Sequence, residues 1–242
     1  MKMEKNDLKK VRVLKDGPYL VTGKLPLVRE VMVIGADKEP ESWRKIEDFP
    51  AQSIYSLCRC GRSRRMPFCD GSHTKTGFDG TENAPQKSYL ELAEKTEGPA
   101  LVLTDAACYC AIARFCHRAG DAWTRTEKSD EPESRRIAVE EAANCPSGRL
   151  VAWDKETGKP IEPEFEPSLS ITEDTKHFVS GPVWVKGGVP VESAAGAVYE
   201  VRTRMTLCRC GASKSKPFCD GSHLKIRFND GHPSVWKAPR TP

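Results

Sequence analysis

Sixteen residues occur twice in this chain. The segment Cys58-Arg-Cys-Gly-Arg-Ser-Arg-Arg-Met-Pro-Phe-Cys-Asp-Gly-Ser-His73 returns as Cys208-Arg-Cys-Gly-Ala-Ser-Lys-Ser-Lys-Pro-Phe-Cys-Asp-Gly-Ser-His223, with twelve of the sixteen positions identical. A repeat of this kind means two structural units of one design. The likeness reaches upstream, where Gly17-Pro-Tyr-Leu-Val-Thr-Gly-Lys-Leu-Pro-Leu27 parallels Gly181-Pro-Val-Trp-Val-Lys-Gly-Gly-Val-Pro-Val191. The offset is 164 residues from Gly17 to Gly181 and 150 from Cys58 to Cys208, so the first copy carries about fourteen extra residues, assigned to 37–49.

Each copy reads as a Gly-Pro turn, a short β-branched strand, a Gly turn, a second strand with Pro at its edge, and a third strand entering the cysteine loop. That third strand is expected over 53–57 and 197–207, with Val198, Val201 and Met205 as its sparse apolar positions. The expected product is a thin, half-exposed sheet, too small to stand alone. Two copies packed about a pseudo-two-fold axis would complete each other.

Between the copies the character changes. Glu91 to Ala93 and Pro99 to Thr104 read as a short helix and a strand. Arg136-Ile-Ala-Val-Glu-Glu-Ala-Ala-Asn144 has the spacing of an amphipathic helix, stopped by Cys145-Pro-Ser-Gly148. The sequence reading is therefore α+β, mostly β, with a first unit over 1–80, a small α/β middle domain over 81–160 and a second unit over 161–242. The acidic, Pro-containing stretch 154–176 is expected to be a solvated linker.

Composition agrees with small units. Apolar residues make up 38% of 242, and no run is long enough for a membrane span. The start, Met1-Lys-Met-Glu-Lys-Asn-Asp7, shows no secretory pattern, which predicts a cytoplasmic protein with reduced thiols. A formal net charge of +4 argues for neither nucleic acid nor membrane as a partner. The five tryptophans, Trp43, Trp123, Trp153, Trp184 and Trp236, read as core anchors.

Six of the ten cysteines lie in the repeated segment, spaced Cys-x-Cys-x8-Cys-x3-His in both copies. A disulfide across one intervening residue would be strained. Asp70 and Asp220 are suited to cap a helix start, and a helix through Gly-Ser-His would bring Cys69 to His73, and Cys219 to His223, on one face. Three thiolates and one imidazole then surround one inorganic centre. Zinc and iron–sulfur both accept such a set. A zinc-stapled interaction scaffold is therefore one reading of the residues, although a one-residue gap between thiols suits two irons better than one ion.

The pattern Cys-x-Cys-x2-Ser-x3-Pro-x-Cys-Asp-Gly-Ser-His resembles, position for position in both copies, the signature of the CDGSH iron–sulfur domain family, which includes mitoNEET-like proteins. The resemblance, to the tandem-repeat prokaryotic type, implies two 2Fe-2S clusters. One would be held by Cys58, Cys60, Cys69 and His73, the other by Cys208, Cys210, Cys219 and His223. It also implies an intramolecular pseudo-dimer, with exchanged strands forming a β-cap beside the cluster-binding region.

The remaining thiols, Cys108, Cys110, Cys116 and Cys145, resemble those of a divergent ferredoxin-like domain found fused to CDGSH repeats. That domain usually reads Cys-x-His-x3-Cys, and here Ile112 replaces the histidine. Cys108 is the candidate to compensate in a third cluster, and His117 reads as a surface residue.

One histidine in place of a thiolate lowers the negative charge of a cluster core and raises its potential, and makes its retention depend on pH. Such a centre suits one-electron transfer, cluster transfer or redox sensing. The partner would be a protein redox partner or an apo-acceptor, docking on Arg59, Arg62, Arg64, Arg65, Lys214 and Lys216. No nucleotide-binding glycine loop and no Ser/His/Asp set is visible, so no enzyme is expected. With both copies in one chain, a monomer is expected.

Overall fold

A computed structural model describes residues 8–235. The residues behind the compartment argument, 1–7, and Trp236 lie outside them.

The first repeat supplies β1 (Lys10–Val13), β2 (Tyr19–Thr22), β3 (Leu27–Ile34), β4 (Pro40–Asp48) and β5 (Ile54–Leu57). The middle segment holds α1 (Tyr89–Leu92), β6 (Glu94–Glu97), β7 (Leu101–Asp105), α2 (Ala122–Glu127), α3 (Pro132–Asn144), β8 (Leu150–Asp154) and β9 (Pro160–Ile161). The second repeat holds β10 (Ser168–Asp174), β11 (Val179–Lys186), β12 (Val191–Glu192), β13 (Arg204–Leu207) and α4 (Ser222–Lys225).

These strands form three sheets, ordered β12-β1-β2-β5, β13-β11-β10-β3-β4 and β6-β7-β8-β9. Counterpart strands of the repeats occupy counterpart places in the first two sheets. Each also takes strand from the other repeat, β12 in the first sheet and β3 with β4 in the second. β12 pairs parallel with β1, Val11 opposite Val191, and β3 pairs parallel with β10, Leu27 opposite Leu169. Every other pairing in the two sheets is antiparallel. A single core fills the space between them, with Val11, Tyr19, Leu57, Leu169, Val183 and Leu207 among its fully buried members.

The extra residues of the first copy form the β3–β4 hairpin, with β4 as the edge strand of the larger sheet. α3 starts at Pro132, four residues before the helix expected from periodicity, because proline suits the first helical position. It ends at Asn144 as its Cys-Pro-Ser-Gly terminator predicts. Val198 and Val201 are exposed, because 197–203 is not strand and only 204–207 enters the sheet. Trp184 is buried, while Trp43, Trp123 and Trp153 are half-buried.

The acidic linker expected over 154–176 is not a linker throughout. Residues 168–174 are β10, an interior strand between β11 and β3, and Glu173 and Asp174 are buried. Distant arginines make this tolerable. Arg29 on β3 and Arg209 both bind Glu173, and Asp230 binds Arg29 at 3.0 Å and Arg209 at 2.6 Å. Arg114 binds Asp174 at 3.0 Å. Removing one partner of such a network leaves a buried charge unpaired.

The two halves are also stitched by polar contacts. Buried Tyr19 of β2 donates its hydroxyl to the Cys208 carbonyl at 2.8 Å, within reach of the Pro217 carbonyl at 3.0 Å. Tyr19→Phe removes the donor to the buried Cys208 carbonyl, while Pro217 keeps the Cys208 N–H, so the unfolding midpoint in denaturant should drop, corresponding to a loss of about 1–3 kcal/mol. An unchanged midpoint would mean that water already serves this carbonyl.

Candidate metal centres

Each cysteine loop leaves a strand that ends at Leu57 or Leu207 and is pinned back onto it. Cys58 N–H donates to the Pro67 carbonyl and Cys208 N–H to that of Pro217, both at 2.8 Å. Cys69 N–H returns to Ser56, and Cys219 N–H to Thr206, both at 2.9 Å. Ser63 and Ser213 close the loops by donating to the carbonyls of Phe68 and Phe218. Asp70 and Asp220 accept from the backbone N–H groups six residues before and two after them. They brace the loop, whereas the helical turn itself is entered through Gly71 or Gly221 at φ 85° and 81°.

The predicted ligand residues come together in pairs. Cys58 Sγ lies 3.7 Å from Cys60 Sγ, and Cys69 Sγ lies 3.4 Å from His73 Nδ1. The second loop repeats both distances, Cys208 to Cys210 at 3.7 Å and Cys219 to His223 at 3.4 Å. Among the described residues no group of three or more His, Cys, Asp or Glu is arranged around a single ion. The two pairs offered by each loop, three thiols and one imidazole, are a donor set that an iron–sulfur centre could use.

Cys58 and Cys208 are held below the ordinary thiol range by a hydrogen bond from the neighbouring thiol, helped by backbone N–H groups. Cys60 and Cys210 are pushed up in return. The thiolate form needed for binding is thus already favoured at one sulfur of each pair.

The loops meet each other. Cys60 bridges antiparallel to Cys210. Gly61 and Gly211, at φ 72° and 81°, lie against the partner loop's Cys210 and Cys60 carbonyls, where a Cβ would clash.

Arg59 and its counterpart Arg209 are both withdrawn from the surface, which for Arg59 runs against the docking role expected of it. Both are 1% exposed. Arg59 donates to the carbonyls of Leu14, Gly17 and Gly80. Arg209 donates to those of Gly181 and Thr172 and to the two carboxylates above. Each stacks over the equivalent aromatic ring, Phe78 or Phe228. Lys216 is buried as well, while Arg62, Arg64, Arg65 and Lys214 are exposed.

In the middle segment, Cys110, Cys116 and Cys145 line one small cavity, together with Ile112 and Arg149. Arg149 is held on Asp105 by two hydrogen bonds at 2.5 and 2.7 Å and also reaches Cys110. Burial, with the neighbouring Cys145, pushes the Cys116 thiol up to about 12. Cys108 is exposed and does not line this cavity, so the structure does not bring it in as a compensating ligand. His117 is exposed, its ring 6.2 Å from that of Trp123.

Residues 16–74 and 180–224 each match the family described as iron-binding zinc finger CDGSH type. Residues 96–155 match a divergent 4Fe-4S mono-cluster family. The chain thus carries two CDGSH-type segments flanking a divergent 4Fe-4S segment. It is similar to CDGSH iron-sulfur domain-containing protein 1 of Bos taurus, 45% identical over 38 residues, or 16% of this chain. The matched stretch spans 34% of that relative's length. No solved structure matches the chain.

Sequence reasoning missed Glu141, one turn before Cys145 on α3. It is 1% exposed, and neither carboxylate oxygen has a hydrogen-bond partner among the described residues. Burial pushes its carboxyl up to about 8 from an ordinary 4.5. Between those values the folded chain keeps a proton that the unfolded chain has lost, so stability falls as pH rises. The thermal midpoint should decline from about pH 5 to about pH 8, and Glu141→Gln should flatten that slope. An unaltered slope would place the titration elsewhere.

Proposed function

We propose that the chain is an iron–sulfur carrier with two 2Fe-2S centres. Cys58, Cys60, Cys69 and His73 hold one, and Cys208, Cys210, Cys219 and His223 the other. The observation that carries this reading is the twice-repeated pairing of ligands, thiol with thiol at 3.7 Å and thiol with imidazole at 3.4 Å. A cluster bound there supplies one-electron chemistry. The chain's own part is to favour one thiolate in each Cys-x-Cys pair, to bury these pairs and to leave an imidazole on the second pair of each site.

The exchange of β3 and β12 supports an intramolecular pseudo-dimer, and so a monomer in solution. Three thiols around one cavity support a third centre at Cys110, Cys116 and Cys145. Its fourth position would be filled from elsewhere, since Cys108 points away from the set. No described helix is long and apolar enough to cross a membrane. The activity is carriage of electrons or clusters for a protein partner, and not catalysis.

The purified protein should be coloured. About four irons per chain correspond to the two CDGSH centres alone, and about seven or eight include the third. A colourless, iron-free preparation that binds two zinc ions would sink the proposal. His73→Cys and His223→Cys should each keep a cluster but lower its potential, because a thiolate adds negative charge. Unchanged potentials in voltammetry would remove these histidines from the ligand set. Light scattering should report a monomer.

A further inference from the structure

The two loops share twelve of sixteen residues, yet their surroundings differ. Their Cys-x-Cys pairs are equally buried, at 1% and 7% exposure in the first loop and 1% and 8% in the second. The difference lies entirely in the second pair of ligands. Cys219 and His223 are 2% and 4% exposed, whereas Cys69 and His73 are only half-buried.

The cover comes from the middle segment. Ile112 presses its side chain onto Gly221, so closely that a Cβ there would overlap it. Ile112 and Ala111 also line, with His223, Trp43 and Asp174, a small cavity beside the imidazole. Tyr109 packs edge-on against Phe218 at 5.2 Å. The N–H groups of Asn83 and Ala84 bind the Lys216 carbonyl at 2.8 and 3.0 Å. Around the first loop the equivalent surface is open, and residues 74–77 beside His73 are exposed.

The charges differ in the same sense. Arg62, Arg64 and Arg65 are exposed on the first loop, and their counterparts are Ala212, Lys214 and Ser215. Three exposed guanidinium groups beside a half-open ligand pair suit a protein with an acidic face around its own site.

We propose that the two centres divide their work. The first is the port at which an acidic protein acceptor takes up cluster, and the second is sealed by Ile112 and retained. This rests on the ligand assignment made above, and the experiment separates the two.

Iron and sulfide are counted first, on the full chain as purified, and bleaching by an iron chelator is then followed under native conditions. Two phases of the CDGSH signal should appear, differing in rate by at least about tenfold, as expected when only one site opens without local unfolding. Cys69→Ser should abolish the fast phase and Cys219→Ser the slow one. Ile112→Ala should speed the slow phase and leave the fast phase unchanged. In transfer to an acidic apo-ferredoxin, Arg64→Glu with Arg65→Glu should slow the reaction about tenfold or more, and Lys214→Glu should not.

A chain lacking iron at these sites fails the ligand assignment. A fully loaded chain whose two centres bleach together, or whose phases are assigned the other way round, overturns the division alone. So does a transfer rate that responds equally, or not at all, to the two charge reversals.

Discussion

The parallel pairing of β1 with β12 and of β3 with β10 is the constraint on which the rest of the molecule depends. The first repeat gives β3, with β4 paired to it, to the other's sheet and receives β12 back. Neither sheet is complete without the second copy, and the shared core between them is filled from both. The same exchange brings the two cysteine loops together, with Cys60 bridged to Cys210 and a glycine of each loop lying against the backbone of the other. Shared sheets thus fix the spacing of the ligand sets.

A second constraint is electrostatic and belongs to one half only. Arg209 beside the second loop is neutralised by Glu173 and Asp230, together with Arg29 of the first repeat. Arg59, its counterpart, donates instead to backbone carbonyls, because Gly80 stands where the second copy has Asp230. Two loops of nearly identical sequence are therefore held differently, one by ion pairs added to hydrogen bonds with the main chain and one by such hydrogen bonds without them. A buried network of the first kind is costly to break at a single member.

Much of the candidate site was legible in the sequence, because ligand spacing is local. Cys69 and His73 converge within one turn, and nothing distant is needed to bring them together. The turn is entered through Gly71, while Asp70 spans the loop, accepting from the Arg64 N–H with one carboxylate oxygen and from the Ser72 N–H with the other. What was not legible depends on partners far away in the chain. Residues 168–174 look like solvated linker until Arg29 and Arg209 are placed beside them, and Arg59 looks like a surface cation until the carbonyls of Leu14 and Gly80 surround it. The departure at Ile112 was visible as a missing histidine. Its contact with Gly221 was not, since that contact joins two separate segments.

The exchanged strands also set an order of events during synthesis. Val11 finds its parallel neighbour only when Val191 has left the ribosome, so the first sheet waits for nearly the whole chain, and pairings of such separation form late. The first ligand set therefore lies in an incomplete half for most of translation. Its loop gains its final support, against Cys210, at about the time the second set is made. Completion of the two Cys3His sets is in this way coupled to completion of one polypeptide, and a chain cut short before β12 would present thiols without the scaffold that holds them.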